Sequence, residues 1–366
     1  MLVAPADGSR VSWDELASLT RRARLTVLAT PPGRARHAAA ALGARGLAPA
    51  LVGRTRDDDS EAPTRETGVL LYEGPPRPLT PQGLDTPQDF TVVAFVTTYN
   101  EEDIIGATLA DLIAEGVTPY VIDNWSTDHT WEVVSAFEEA GLAGRERHPP
   151  EGPPDYYDLH ALLRRVESLS QTLPSDWFIK HDADEIRRSP WPGVTLRDAL
   201  YRVQAAGYNC ADFTVLNFPP TDDSFLPGSR PADRFRYFEF GTNRPYFRQL
   251  KAWQSLGHRI EYASTGGHEA RFPGRRVFPY KFLNRHYPIR SQQHGERKVF
   301  RERQGRFLPE ARARGWHRQY DEMRPGHQFR RDPESLLRFD EATFARDYLV
   351  ERLSGVGLPR RPRGAR

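Results

Sequence analysis

Three short polar runs carry the residue types that can do chemistry in this chain. They are Thr97-Thr98-Tyr99-Asn100-Glu101-Glu102, Asp123-Asn124-Trp125-Ser126-Thr127-Asp128-His129-Thr130 and Asp182-Ala183-Asp184. Side chains two residues apart on an extended backbone share a face, so Asp182 and Asp184 stand side by side. Paired carboxylates repel, and a divalent cation between them removes the conflict. Mg2+ or Mn2+ is usually held by one or two carboxylates together with phosphate oxygens, so a diphosphate ligand suits this pair. Tyr99 can stack on a planar base, and Asp123 can accept hydrogen bonds from a base or ribose. Asp128 falls in the first turn of a following helix, where an acid complements the dipole, a structural role. A solvated acidic turn accounts for a lone D-x-D equally well. This one is distinguished by its place behind two other polar runs.

The elements that must position these runs are legible as apolar patterns. Val92-Val93-Ala94-Phe95-Val96, Tyr120-Val121-Ile122 and Trp177-Phe178-Ile179 are continuous apolar runs, as in strands buried on both faces of a parallel sheet. Ile104, Ile105, Leu109, Leu112 and Ile113 recur at helical spacing behind Asn100, a residue suited to an N-cap. Trp131, Val134 and Phe137 form a second stripe. This alternation predicts right-handed βαβ units and an α/β, doubly wound, mostly parallel sheet flanked by helices. Ligands bind such sheets beyond the carboxyl ends of the strands, where Tyr99, Asp123 and Asp182 fall.

Around this centre the chain divides into three parts. Residues 1–88 read as a small α/β accessory segment. It has a capping box at Ser12 and Glu15 and strands at Leu25 to Ala29, Ala50 to Val52 and Gly68 to Tyr72. It also has an Ala-rich helix from Arg34 to Arg45 and a Pro-rich linker from Gly74 to Pro87. Residues 89–290 hold the alternating pattern, and residues 291–366 read as a helical, Arg-rich extension with a tail. In 366 residues, 51 Lys and Arg against 49 Asp and Glu leave a net charge of +2, which excludes a globally basic nucleic-acid binder. The single cysteine, Cys210, excludes an intramolecular disulfide framework and a cysteine-cluster zinc site. No run approaches the roughly 20 apolar residues of a membrane span. The first residues lack the charged and apolar regions of a secretory signal, so the expectation is a soluble, cytoplasmic protein.

Taken in order, the three runs resemble glycosyltransferase family 2, which has the GT-A fold, over about residues 90–300. The resemblance implies a nucleoside-diphosphate-sugar donor and a Mn2+ or Mg2+ cofactor. It also implies transfer of a hexosyl-type sugar, with inversion at the anomeric carbon, to an acceptor hydroxyl. Carried over by position, Thr97 and Tyr99 would line the base pocket and Asp123 would hold the base or ribose. Asp182 would contact the ribose, and Asp184 would ligate the metal. His286 resembles the C-terminal histidine that completes such a metal site; it reads equally as a satisfied buried histidine beside Tyr287. A carboxylate must take the proton of the attacking hydroxyl. Candidates are Glu269, behind the close-approach pair Gly266-Gly267, and Asp222 with Asp223. Glu269 reads equally as an acid paired with Arg271 or Arg275, and Asp222-Asp223 as the start of a turn. Two departures stand out: Thr97 where proline is common, and Asn124-Trp125 where Asp-Gly is usual. No motif marks the acceptor, whether carbohydrate, lipid carrier or small molecule, and no nucleic-acid partner is expected.

Two other readings compete. Asp182-Ala183-Asp184 after an apolar strand also resembles the nucleophile motif of haloacid-dehalogenase-type phosphohydrolases, but Glu185-Ile186 matches it poorly. A non-catalytic scaffold could bind polyanions through the Arg-rich extension, although Glu302, Glu310, Asp321 and Glu322 dilute that field.

Overall fold

The computed structural model describes residues 2–5, 25–30, 41–42, 51–56, 66–73 and 85–352, apart from 192, 242–247, 258, 279, 308–322, 342–343, 345–347 and 349–351. The chain falls into two compact units, Met1–Leu84 with Gly355–Arg366, and Asp85–Ser354. In the first, β1 (Leu2–Pro5) runs parallel to β2 (Leu25–Thr30). β3 (Leu51–Arg56) pairs antiparallel with β4 (Glu66–Glu73), which also pairs antiparallel with β2. Strands therefore form at three expected places, and Leu2–Pro5 adds one that the sequence reading did not include. The capping box at Ser12 and Glu15 and the linker up to residue 84 lie outside the described residues.

The second unit is built on the apolar runs. β5 (Val92–Thr98), β6 (Thr118–Asp123), β7 (Gly144–Arg147) and β8 (Trp177–Asp182) run parallel in the spatial order β7-β6-β5-β8. Their side chains alternate between two cores. Val92, Ala94 and Val96 pack with Trp177, Ile179 and the inner faces of α1 (Ile105–Ala114), α2 (Thr130–Ser135) and α4 (Leu196–Ala205). Val93 and Phe95 pack with Phe178, Trp253 and the face of α3 (Leu159–Thr172) that bears Leu162, Leu163 and Val166. Helices thus cover both faces, which is why the strands read as unbroken apolar runs. Asn100 does not cap α1: its φ is +54° and its side chain instead accepts from the Thr127 amide at 2.8 Å. Among the described residues, no helix is long and apolar enough to cross a membrane.

After β8 the chain leaves this sheet. Ala183 and Asp184 turn it into β9 (Glu185–Arg188), the first strand of a second, mainly antiparallel sheet. β10 (Cys210–Ala211) returns to the first sheet, whereas β11 (Phe213–Asn217) and β12 (Tyr237–Phe240) belong to the second. β13 (Ala252–Gln254) lies antiparallel between β8 and β10. β14 (Phe282–His286) runs parallel to β11 and antiparallel to β9, and β15 (Leu337–Arg338) pairs with β12. Within the expected helical extension, α5 (Gln292–Glu296) is followed by a π-helical stretch, Arg297–Arg303, but β15 is a strand.

The D-x-D run therefore forms the corner between two sheets, and helix α1 fixes it. The buried Thr108 hydroxyl donates to the Ala183 carbonyl at 2.6 Å, and the Tyr287 amide donates to the Asp184 carbonyl at 2.8 Å. Thr108→Val keeps the shape but removes that donor. It should lower stability by about 1–3 kcal/mol in urea denaturation, with no change in secondary structure by circular dichroism.

Candidate functional site

Strand period puts Lys180 on the same side of β8 as Asp182. Its ammonium lies 2.6 Å from Asp182 Oδ1 and 2.9 Å from Thr97 Oγ1. Lys251, beside β13, reaches Asp182 Oδ2 at 2.9 Å and Glu185 Oε1 at 3.2 Å. Glu185 also accepts from Arg187 at 2.5 Å and from Asn284 at 2.7 Å. Burial alone would raise the Asp182 carboxyl, but Lys180 and Lys251 together hold it well below the usual range. For Lys251, burial is likewise outweighed by Asp182 and Glu185, which raise it. For Lys180, burial outweighs Asp182 and lowers it, so Lys251 is the firmer cationic partner of Asp182.

A second buried knot sits beside it. Arg290 reaches Glu101 at 2.5 Å, both Asp103 oxygens at 2.7 Å, and His294 Nε2 at 2.8 Å. Glu101, Asp103 and His294 lie close enough together to hold a metal ion. The Arg290 guanidinium already fills the space among them, so this trio is an ion-pair knot. Lys298, from the π-helical stretch, bridges Glu101 Oε1 at 2.7 Å and Asp184 Oδ2 at 2.9 Å. Burial opposes ionisation of Asp184, yet neighbouring cations, Lys298 first and Arg290 behind it, outweigh it and pull the carboxyl far down. Its other oxygen, Oδ1, lies 3.7 Å from His286 Nε2. The opposite ring nitrogen of His286, Nδ1, is 2.9 Å from Asn217 Oδ1. An amide oxygen only accepts, so Nδ1 carries the proton, and in the neutral ring Nε2 keeps its lone pair towards Asp184.

These groups open onto a cavity of about 460 Å³ at the carboxyl ends of β5 and β8. Of the residues singled out in the sequence, Thr97, Tyr99, Asp182, Asp184 and His286 line it. Asp123, Glu269, Asp222 and Asp223 do not. Asp123 is fully buried and folds onto its own loop, accepting from the Ser126 hydroxyl and amide at 2.5 and 3.1 Å. Burial is the largest influence on its carboxyl and raises it. Trp125 in that loop has φ +58°, a left-handed conformation that glycine adopts without cost. Glu269 is held by Arg275 at 2.6 Å, Arg248 at 3.2 Å and Arg271 at 3.6 Å. Asp222 accepts from the Ser224 amide at 2.8 Å, and Asp223 from the Gln292 amide at 2.7 Å.

Sequence reasoning gave Glu101, inside the first run, no role of its own, and missed Lys180, Lys251, Asn217 and Glu239. Strand period could have paired Lys180 with Asp182; the others come from distant segments with no local signal. Tyr99 has a cover of its own: the Arg306 guanidinium sits 3.9 Å from its ring centroid.

No family model matches the chain, and no curated protein matches it. Among solved structures, Staphylococcus aureus TarS is similar at TM-score 0.34 and 12% identity, over 54% of this chain and 37% of that one. Its fragment 1–349 in complex with UDP gives 0.31 and 12%, over 54% and 60%. UDP-glucose pyrophosphorylase complexed with UDP-glucose gives 0.22 and 8%, over 50% and 73%. The chain thus spans less than two thirds of the TarS structures, and all these scores are low.

The buried histidine of β8 generates a pH dependence. His181 donates from Nδ1 to the Asp182 carbonyl at 2.8 Å, and burial pushes its pKa down from 6.5 to about 3. The unfolded chain takes a proton near pH 6.5 that the folded chain refuses until about pH 3. Stability must therefore fall as pH drops below 6.5, by about 2 kcal/mol between pH 7 and pH 5 from His181 alone. His268, pushed down to about 4 mainly by burial, acts in the same direction. Asp184 and Glu185, lowered in the folded state, add their loss only nearer pH 4 and below. Urea denaturation at pH 7 and pH 5 should show the difference, and His181→Asn should flatten it.

Proposed function

We propose that this chain is a glycosyltransferase of GT-A type that uses a nucleoside-diphosphate sugar and transfers it with inversion to an acceptor hydroxyl. The observation that carries this reading is the single cavity wall on which Thr97, Tyr99, Asp182, Asp184 and His286 meet. Its volume of about 460 Å³ suits a small-molecule ligand. Tyr99 offers a ring to the base. Asp182 has one oxygen shared by Lys180 and Thr97 and the other by Lys251 alone. A carboxylate oxygen accepts about two hydrogen bonds, which leaves room on Oδ2 for a ribose hydroxyl.

The donor set fits a divalent cation. Asp184 Oδ1 and His286 Nε2 stand 3.7 Å apart on the cavity wall, and the His286–Asn217 hydrogen bond fixes the ring in the ligating orientation. One carboxylate and one imidazole, completed by phosphate oxygens, suit Mn2+ or Mg2+. When bound, the ion neutralises charge that grows on the leaving diphosphate. The chain's own cations share that task, since Lys298 and Arg303 line the same cavity. Asp123 serves indirectly, by holding the loop from Asp123 to Ser126 beside the end of β5.

Isothermal titration should detect binding of UDP, GDP or dTDP in the presence of Mn2+, and Asp184→Asn should weaken the Mn2+-dependent part about tenfold or more. Absence of binding by all three nucleotides would overturn the reading.

A further inference from the structure

Every carboxylate that the sequence marked as a proton acceptor lies off the cavity wall, yet the proposed transfer needs one there. We propose that Glu239 takes the proton from the acceptor hydroxyl, an inference that rests on the nucleotide-sugar reading above. Among the described residues, the carboxylates lining the cavity are Glu101, Asp182, Asp184 and Glu239. Glu101 is held by Arg290 and Lys298, Asp182 by Lys180 and Lys251, and Asp184 by Lys298. A carboxylate locked to a buried cation is a poor proton acceptor, because protonation would strand that cation without its partner. Glu239 differs in kind. Its side chain is 40% exposed, and its ion pair is a 3.4 Å contact with Arg331, itself 45% exposed.

Strand register places Glu239 relative to the rest of the site. Glu239 on β12 pairs directly with Asn217 on β11, and Asn217 pairs directly with His286 on β14. Residues paired in this way project from the same face of a sheet. Glu239, Asn217 and His286 therefore form one row, and all three line the cavity. Neighbouring strands lie about 4.8 Å apart, so the Glu239 backbone stands roughly 10 Å from that of His286. The diphosphate end of the donor belongs beside Asp184 and His286, which leaves the sugar and the attacking hydroxyl between them and Glu239.

The step balances without a further reactant. The acceptor oxygen forms a bond to the anomeric carbon as the bond from that carbon to the diphosphate oxygen breaks. The electron pair of the broken bond leaves with the diphosphate, and the hydroxyl proton passes to Glu239. Arg331, whose amide donates to the Pro220 carbonyl at 2.8 Å, holds the carboxylate at the cavity rim.

The test uses the full chain and water as the acceptor. Release of nucleoside diphosphate is measured from a panel of UDP-, GDP- and dTDP-sugars with Mn2+, for the wild type, Glu239→Gln and Glu239→Ala. The expected result is turnover lowered about 100-fold or more in both variants, with nucleotide affinity and thermal stability unchanged. Azide attacks without giving up a proton, so it should restore turnover of Glu239→Ala and yield a glycosyl azide. Turnover of Glu239→Gln within about threefold of wild type overturns the assignment. Loss of nucleotide affinity in step with turnover also overturns it, since Glu239 would then be a donor-binding residue. Failure of the wild type to bind any of the three nucleotides overturns the functional reading itself, and so is distinguishable from failure of Glu239 alone.

Discussion

The structure around the cavity depends on charge compensation at the corner where the chain passes from one sheet to the other. Asp182, Asp184 and Glu185 end one strand, make the turn and begin the next, and Glu101 and Asp103 press against them from the end of β5. Five carboxylates this close repel one another unless cations sit among them. Lys180, Lys251 and Arg187 answer one group, and Arg290 and Lys298 answer the other. Removing one cation would leave a buried charge without its partner, which costs far more than an exposed ion pair contributes. The corner therefore ties β8, β9, β13 and the π-helical stretch into one electrostatic unit.

That arrangement revises the physical reasoning applied to the bare sequence. Paired carboxylates were expected to need a metal to relieve their repulsion, whereas lysines already relieve it. The cation binding proposed at Asp184 and His286 is thus not demanded by the fold; the proposal stands on the Asp184 oxygen that Lys298 leaves open, the imidazole nitrogen facing it and the cavity beside them. The Glu101, Asp103 and His294 trio teaches the converse lesson. Ligand types in ligand-like proximity are no metal centre when a guanidinium already satisfies them.

What was legible in the sequence follows from range. Strands β5, β6 and β8 and the helices after the first two rest on local periodicity, so Val92–Thr98, Thr118–Asp123 and Trp177–Asp182 could be read directly. The strand-end residues Thr97, Tyr99, Asp182 and Asp184 were legible for the same reason. Asn100 misled, because an N-cap residue type does not show whether its side chain turns to the helix behind it or to the Thr127 loop. Glu269 and Asp123 lie off the cavity wall, which the sequence could not show, because a motif position fixes neither which way a carboxylate turns nor which arginines meet it. Lys251 and Lys298 lie 69 and 114 positions from the aspartates they hold, and only the folded chain brings them there. Glu239 is marked only by strand register, which no local pattern encodes.

The cover on Tyr99 has a consequence for how a ligand would be held. Arg306 is not free to drift: its carbonyl accepts from the Tyr157 amide, and its guanidinium donates to Asn124 Oδ1 at 3.3 Å. Four residues earlier in the same stretch, Glu302 accepts from Asn100 at 3.2 Å. A planar base using the face that Arg306 occupies would replace one stacking partner with another, so the net gain is the difference between two contacts of similar strength. Occupancy of that face and the seating of residues 297–307 are then two readings of one equilibrium. For a base seated on that face, whatever loosens the segment would strengthen the grip, and whatever fastens it would weaken that grip.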